Sequence, residues 1–189
     1  MNIWIDITHI PPLNFFKGLI KQLAYTNEHH VYVTVLNRGK LPKIAFKELA
    51  NIPNITIDVV GNHRMNKWSV LWDANIIRII KLLKWAYKKN LAMSISGSVP
   101  CSLVSRVFNC KPYTLIDDPQ AVTYSTIANL SYKSFCMLYK VPDTYKLHPK
   151  SIVLKSLKEW AYLAPSVFTP NISVLADYAI TPHRYLFVR

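Results

Sequence analysis

Between residues 2 and 116, short apolar, β-branched runs alternate about five times with stretches of helical spacing. This alternation constrains the fold more than any other feature of the chain. Residues 2–8 (NIWIDIT), 30–36 (HVYVTVL), 54–60 (NITIDVV), 91–96 (LAMSIS) and 112–116 (PYTLI) read as strands. Residues 13–27, 41–51, 67–90 and 98–109 read as helices. Such a pattern predicts an α/β domain: a Rossmann-like, mainly parallel sheet with helices on both faces. Ligands of such sheets bind at the carboxyl ends of the strands. The loops expected to matter are therefore 8–12, 37–40, 61–66, 96–100 and 117–120.

Two local readings bear on the sites. In the first loop, His9-Ile10-Pro11-Pro12 is expected to break the first strand, because proline lacks a donor and restricts its predecessor. In residues 67–90, Trp72, Ile76, Ile79, Ile80, Leu83 and Tyr87 form an apolar stripe; Asp73, Arg78, Lys81, Lys84, Lys88 and Lys89 form a basic side.

Beyond Gln120 the pattern weakens. Residues 121–130 fit a helix, 134–140 a short strand, 142–150 a loop, 153–163 a helix, 165–170 a loop and 171–178 a short helix. Residues 184–188 (RYLFV) have strand character.

Lysine and arginine total 23 against 10 acidic residues, a formal charge of +13. That balance favours an anionic partner: acidic headgroups, a phosphorylated ligand or nucleic acid. The excess is spread over both halves, and no helix-turn-helix, RNP or zinc-finger pattern is present, so nucleic acid is not expected. A solvated basic surface explains the charge equally well. The helix at 67–90, with Trp68, Trp72, Trp85 and Tyr87 beside its basic side, is the candidate for a membrane surface, although a helix covering a sheet needs the same stripe. Cys101, Cys110 and Cys136 lack metal or disulfide spacing and read as buried thiols of a reducing compartment. No signal sequence or membrane-length apolar run is visible, so a cytoplasmic protein is expected, with a peripheral place at the inner face of the membrane as its other option.

Three places carry residues fit for chemistry. Thr8-His9 ends the first strand, and a histidine there can act as a general base or simply cap the turn. Asp6 is placed to orient it, though strand geometry alone does not require the two to touch. Ser96-Gly97-Ser98 opens a helix, where amides favour an anion, but it matches no phosphate-loop pattern, and Ser98 reads first as an N-cap. Asp117-Asp118 can bind a metal, hold sugar hydroxyls or make an ordinary Asp-Pro turn. His29-His30 has no ligating neighbour in sequence.

Together these segments resemble the family called domain of unknown function 354, which looks like a member of the GT-B glycosyltransferase superfamily. Ile3-Trp4-Ile5-Asp6-Ile7-Thr8-His9 followed by Phe15-Phe16-Lys17 is similar to the family's opening. Ile116-Asp117, Leu157-Lys158-Glu159-Trp160-Ala161-Tyr162-Leu163 and Phe168-Thr169-Pro170-Asn171 with Val174-Leu175 continue the likeness. Many members carry His and Val where this chain has Pro12 and Leu13.

The resemblance implies the acceptor-side half of a two-domain enzyme of polysaccharide or surface glycan synthesis. Residues 1–150 would form that domain, and residues 151–189 would supply linker helices and the first strand of a second domain. His9 would be the base, or would bind acceptor or sugar. Ser96, Gly97 and Asp117 would line the cleft, with Thr8, Asn14, Ser98 and Gln120 completing the substrate-binding set. The donor would be a nucleotide sugar bound without a metal, held only once a C-terminal domain is present, and the acceptor a sugar or glycolipid. The chain alone is expected to be inactive and to self-associate through its last strand, residues 185–189. A sugar-nucleotide epimerase and a non-catalytic binding module are the alternatives.

Overall fold

The computed structural model describes residues 1–63 and 72–181. The expected strand at 184–188 and the start of the 67–90 helix, Trp68 included, lie outside the described residues, as does the side chain of Trp72.

The first half alternates as expected: β1 (Asn2–Ile7), α1 (Ile10–Tyr25), β2 (His30–Asn37), α2 (Leu41–Leu49) and β3 (Ile55–Asn62). A π-helical turn (Trp72–Ile77) then runs into α3 (Arg78–Ala86). Next come β4 (Leu91–Ser96), α4 (Val99–Val107), β5 (Lys111–Ile116), α5 (Tyr124–Leu130) and β6 (Lys133–Met137). After them follow β7 (Ser151–Leu154), α6 (Trp160–Leu163) and α7 (Val174–Asp177). The sheet order is β3-β2-β1-β4-β5-β6-β7, and the described strands pair in parallel throughout. This is a Rossmann-like α/β fold. The chain reverses direction across the sheet between β1 and β4, which opens a crevice at their carboxyl ends.

Strand alternation sorts β1 onto two layers. Ile3, Ile5 and Ile7 pack with Leu13, Phe16 and Ile20 of α1 and with Leu41, Ala45 and Leu49 of α2. Trp4 faces the other way, against Leu82 and Ala86 of α3 and Cys101 and Val104 of α4. Asp6 shares that second face and is 2% exposed. A carboxylate so placed must be paired, and its partner is Arg78, 1% exposed, which donates from both terminal nitrogens at 2.5 and 3.2 Å. Arg78 Nε also donates to the Val60 carbonyl at 3.1 Å. Its side chain crosses Gly61, where an added Cβ would sit 2.7 Å from Arg78 Cγ and where φ is +85°, so glycine is required twice over.

Four expectations change. β1 ends before His9-Ile10-Pro11-Pro12 as expected, but α1 begins at Ile10 rather than at residue 13: both prolines lie in its first turn, where a missing N–H costs nothing. Gly61 and Asn62 extend β3 rather than opening a loop. Along the π-helical turn, α3 and its C-cap, Ile76, Ile80 and Tyr87 are exposed while Arg78, Leu82 and Ala86 are buried, so the inward face is rotated from the one the apolar residues traced. Finally, residues 151–154 form a seventh strand instead of the start of a helix, and the sheet therefore runs past residue 150. The three cysteines are free and buried. No helix among the described residues is long and apolar enough to cross a membrane.

Candidate functional site at the carboxyl ends of β1, β4 and β5

A cavity of about 150 Å³ opens at the crevice between β1, β4 and β5. Asp6, Thr8 and His9 follow β1 into it, Gly97 comes from the end of β4, and Asp117 and Asp118 come from the end of β5. Phe15 and Phe16 of α1, Leu115, Ile127 and Met137 give it an apolar wall, and Lys158 closes one side.

His9 is the N-cap of α1, with extended backbone and no side-chain bond into the helix. Its imidazole is therefore left for the cavity. Nδ1 shares a 2.9 Å hydrogen bond with Thr8 Oγ1. Partial withdrawal from water lowers its pKa below 6.5, and the charges of Arg38 and Lys158 lower it further, against an opposing pull from Asp117. Asp6 does not orient His9. Its two oxygens are taken by Arg78, by Thr34 Oγ1 at 2.7 Å and by Ser98 Oγ at 2.7 Å. Thr34 stands opposite Asp6 in the β1–β2 register and also accepts Trp4 Nε1–H at 2.7 Å. Asp6 is thus the buried hub under the cavity floor, tying β1, β2, α3 and α4 together.

Ser96 and Ser98 hold the floor from β4. Ser98 N–H donates to Ser96 Oγ at 2.9 Å, and Ser98 Oγ caps α4 by accepting Cys101 N–H at 3.4 Å. Neither serine lines the cavity, whereas Gly97 between them does. A Cβ on Gly97 would lie 3.0 Å from the Leu115 carbonyl oxygen.

Asp117 is exposed at the rim and ion-paired with Lys158. Burial would raise its pKa, but the hydrogen bond and charge of Lys158 outweigh that and hold the carboxyl below 3.8. Desolvation pulls Lys158 down, and the same bond more than restores it. Asp118 makes the turn that its sequence fits: its Oδ1 accepts Gln120 N–H at 2.9 Å and its carbonyl accepts Ala121 N–H at 3.2 Å.

Of the expected site residues, then, Thr8, His9, Gly97 and Asp117 meet around one cavity. Ser96 and Ser98 support it from behind, while exposed Asn14 and Gln120 lie outside its lining. Sequence reasoning missed Lys158 as a cavity residue and Arg78 as the partner of Asp6. Lys158 lies in a run already noted for its resemblance, but nothing in its spacing points to Asp117, 41 residues away.

No family model matches the chain, and no curated protein sequence matches it. Solved structures do. The structure of MurG from Acinetobacter baumannii superposes with a TM-score of 0.52 at 15% identity, over 80% of this chain and 45% of that one. TcCGT1 in complex with UDP gives 0.51 at 12% identity, over 71% and 44%. A protein from Listeria monocytogenes assigned as a UDP-N-acetylglucosamine 2-epimerase gives 0.50 at 11% identity, over 72% and 39%. The chain shares its fold with these three proteins and matches less than half the length of each.

Proposed function

We propose that the chain is the acceptor-side half of a GT-B-like glycosyltransferase of polysaccharide or surface glycan synthesis, akin to the domain of unknown function 354 family. The observation that carries this reading is the cavity at the β1–β4 crevice, which brings His9, Asp117 and Lys158 together beside an apolar wall. Sugars bind to such a mixture, since their hydroxyls need polar partners and their C–H faces need apolar ones.

In this reading His9 is the base. In the tautomer whose Nδ1–H donates to Thr8, Nε2 keeps its lone pair, and the lowered pKa favours the neutral ring, able to take a proton from an acceptor hydroxyl. Asp117 accepts from sugar hydroxyls. A nucleotide sugar is the donor and is held mainly by a second domain; a glycolipid acceptor would bring the basic surface to an anionic membrane. The chain spans less than half the length of its fold neighbours, so the 189 residues alone bind acceptor without turning over.

Calorimetry of the chain with glycan acceptors and UDP-sugars is the test. Acceptor binding that His9→Ala and Asp117→Asn weaken supports the reading; no binding of either ligand removes it. Transfer by the chain alone, above a His9→Ala control, would overturn the claim of inactivity. The likeness to an epimerase keeps a second reading open, and inversion at C2 of a free sugar nucleotide would select it.

A further inference from the structure

Lys158 stands out because it reaches the cavity from the far end of the chain. It precedes α6, which rests on α1, and so crosses the rim from outside the β1–β4–β5 crevice. There it meets Asp117, whose side chain is half exposed. An ion pair with such a partner contributes little and is readily exchanged.

The cavity's size matters next. Sites that enclose a whole small ligand measure roughly 300–1,000 Å³; this one is about 150 Å³. A ligand therefore places one group inside and passes the rest out over the rim. At that rim it meets Lys158, with the cation of Arg38 close enough to act on His9. Asp6, the carboxylate beneath, is already neutralised by Arg78. The rim is thus suited to an anionic group outside the cavity and a neutral one within.

We propose that Lys158 is the specificity-determining residue of this site: it exchanges Asp117 for a phosphate esterified to the bound sugar. This rests on the acceptor-side reading above. Exchange does two things at once. It gives the phosphate a charge-assisted hydrogen bond, and it frees the Asp117 carboxylate to accept from the sugar's hydroxyls. Asp117 holds the place of the phosphate while the site is empty.

The test compares N-acetylglucosamine with N-acetylglucosamine 1-phosphate and UDP by calorimetry on the chain, its Lys158→Met and Lys158→Arg variants, and Lys155→Met as a surface control. The phosphorylated sugar should bind the native chain about tenfold or more tighter than the neutral sugar, the worth of one hydrogen bond to a charged group. Lys158→Met should erase that preference without weakening the neutral sugar; Lys158→Arg should keep most of it, and Lys155→Met all of it. UDP gaining as much from Lys158 as the sugar phosphate would show a phosphate site that needs no bound sugar and would overturn the proposal. A phosphate preference that survives Lys158→Met, or none in the native chain while the neutral sugar binds, overturns this proposal and leaves the acceptor reading standing. Failure of every sugar to bind removes both.

Discussion

Trp4, Leu13, Ile20 and Leu82 are fully withdrawn from water, whereas between residues 138 and 181 Ala164 alone of the described residues is buried. Both regions furnish the same cavity. The first mounts Thr8, His9, Gly97 and Asp117 on the ends of packed strands; the second contributes Lys158 between an edge strand and a four-residue helix. Trp160, Phe168, Ile172 and Tyr178 in the second region remain 46–72% exposed. Burial is what fixes a backbone against its conformational entropy, so the difference separates a rigid wall from an adaptable one. A site built this way keeps fixed contacts on the rigid side and adjustable ones on the other.

The sharpest way to break that contrast is to strike the rigid wall at its hub. Arg78→Ala leaves the Asp6 carboxylate buried without its cation, and removing one partner of a buried pair costs about 3–5 kcal/mol. Denaturant unfolding of the purified chain should show a loss of that size. A loss under about 1 kcal/mol, the range of an exposed pair, would mean that the wall is not held where the contacts place it.

Ser98→Ala should come next. It removes the α4 cap and one of the hydrogen bonds to Asp6, for about 1–2 kcal/mol. The same melt measures it, and Ser98→Asn, which can still cap, should recover part of the loss.

These two residues also mark how much the sequence disclosed. The parallel sheet was readable because buried strands are apolar almost without interruption, as in NIWIDIT and HVYVTVL. Ser98 was readable as a cap because capping is local. Arg78 was not: helical periodicity assigns an arginine to the wet side, and only a carboxylate 72 residues away reverses that. The SIVL strand was missed for a related reason. Four residues of alternating partial burial at a sheet edge carry little strand signal of their own, and pairing with β6 is what fixes them. His9 and Asp117 were found by position, at strand ends, while Lys158 joins them only through tertiary contact.

Crossing from the rigid wall to the adaptable one, Lys158→Met should cost no more than about 1 kcal/mol, because its partner Asp117 is half exposed. Its effect belongs to His9 instead. Lys158 lowers the imidazole pKa, so its removal should raise the midpoint of the His9 titration toward 6.5, read from the ring resonances by NMR. The sign follows from linkage. A histidine whose folded pKa is lowered takes up its proton more readily when unfolded, so stability falls as pH drops from 6.5 toward the folded value. Lys158→Met should narrow that window. An unmoved midpoint would place Lys158 away from His9 and undo the shared rim.

The smallest effect expected is also the most direct measure of the contrast. Trp160 is 61% exposed on α6, while Trp4 is wholly buried between β1 and the helices of the second face. Truncating a buried tryptophan costs about 3–5 kcal/mol; truncating an exposed one stays within about 0.5 kcal/mol. Trp160→Ala should therefore leave the unfolding midpoint of the chain almost unchanged where Trp4→Ala collapses it. Were Trp160→Ala to cost 2 kcal/mol or more, α6 would be locked on α1 as firmly as the strands are on their helices. Lys158 would then be a fixed part of the rim, and the exchange of its partner would have to work against packing rather than against one exposed ion pair.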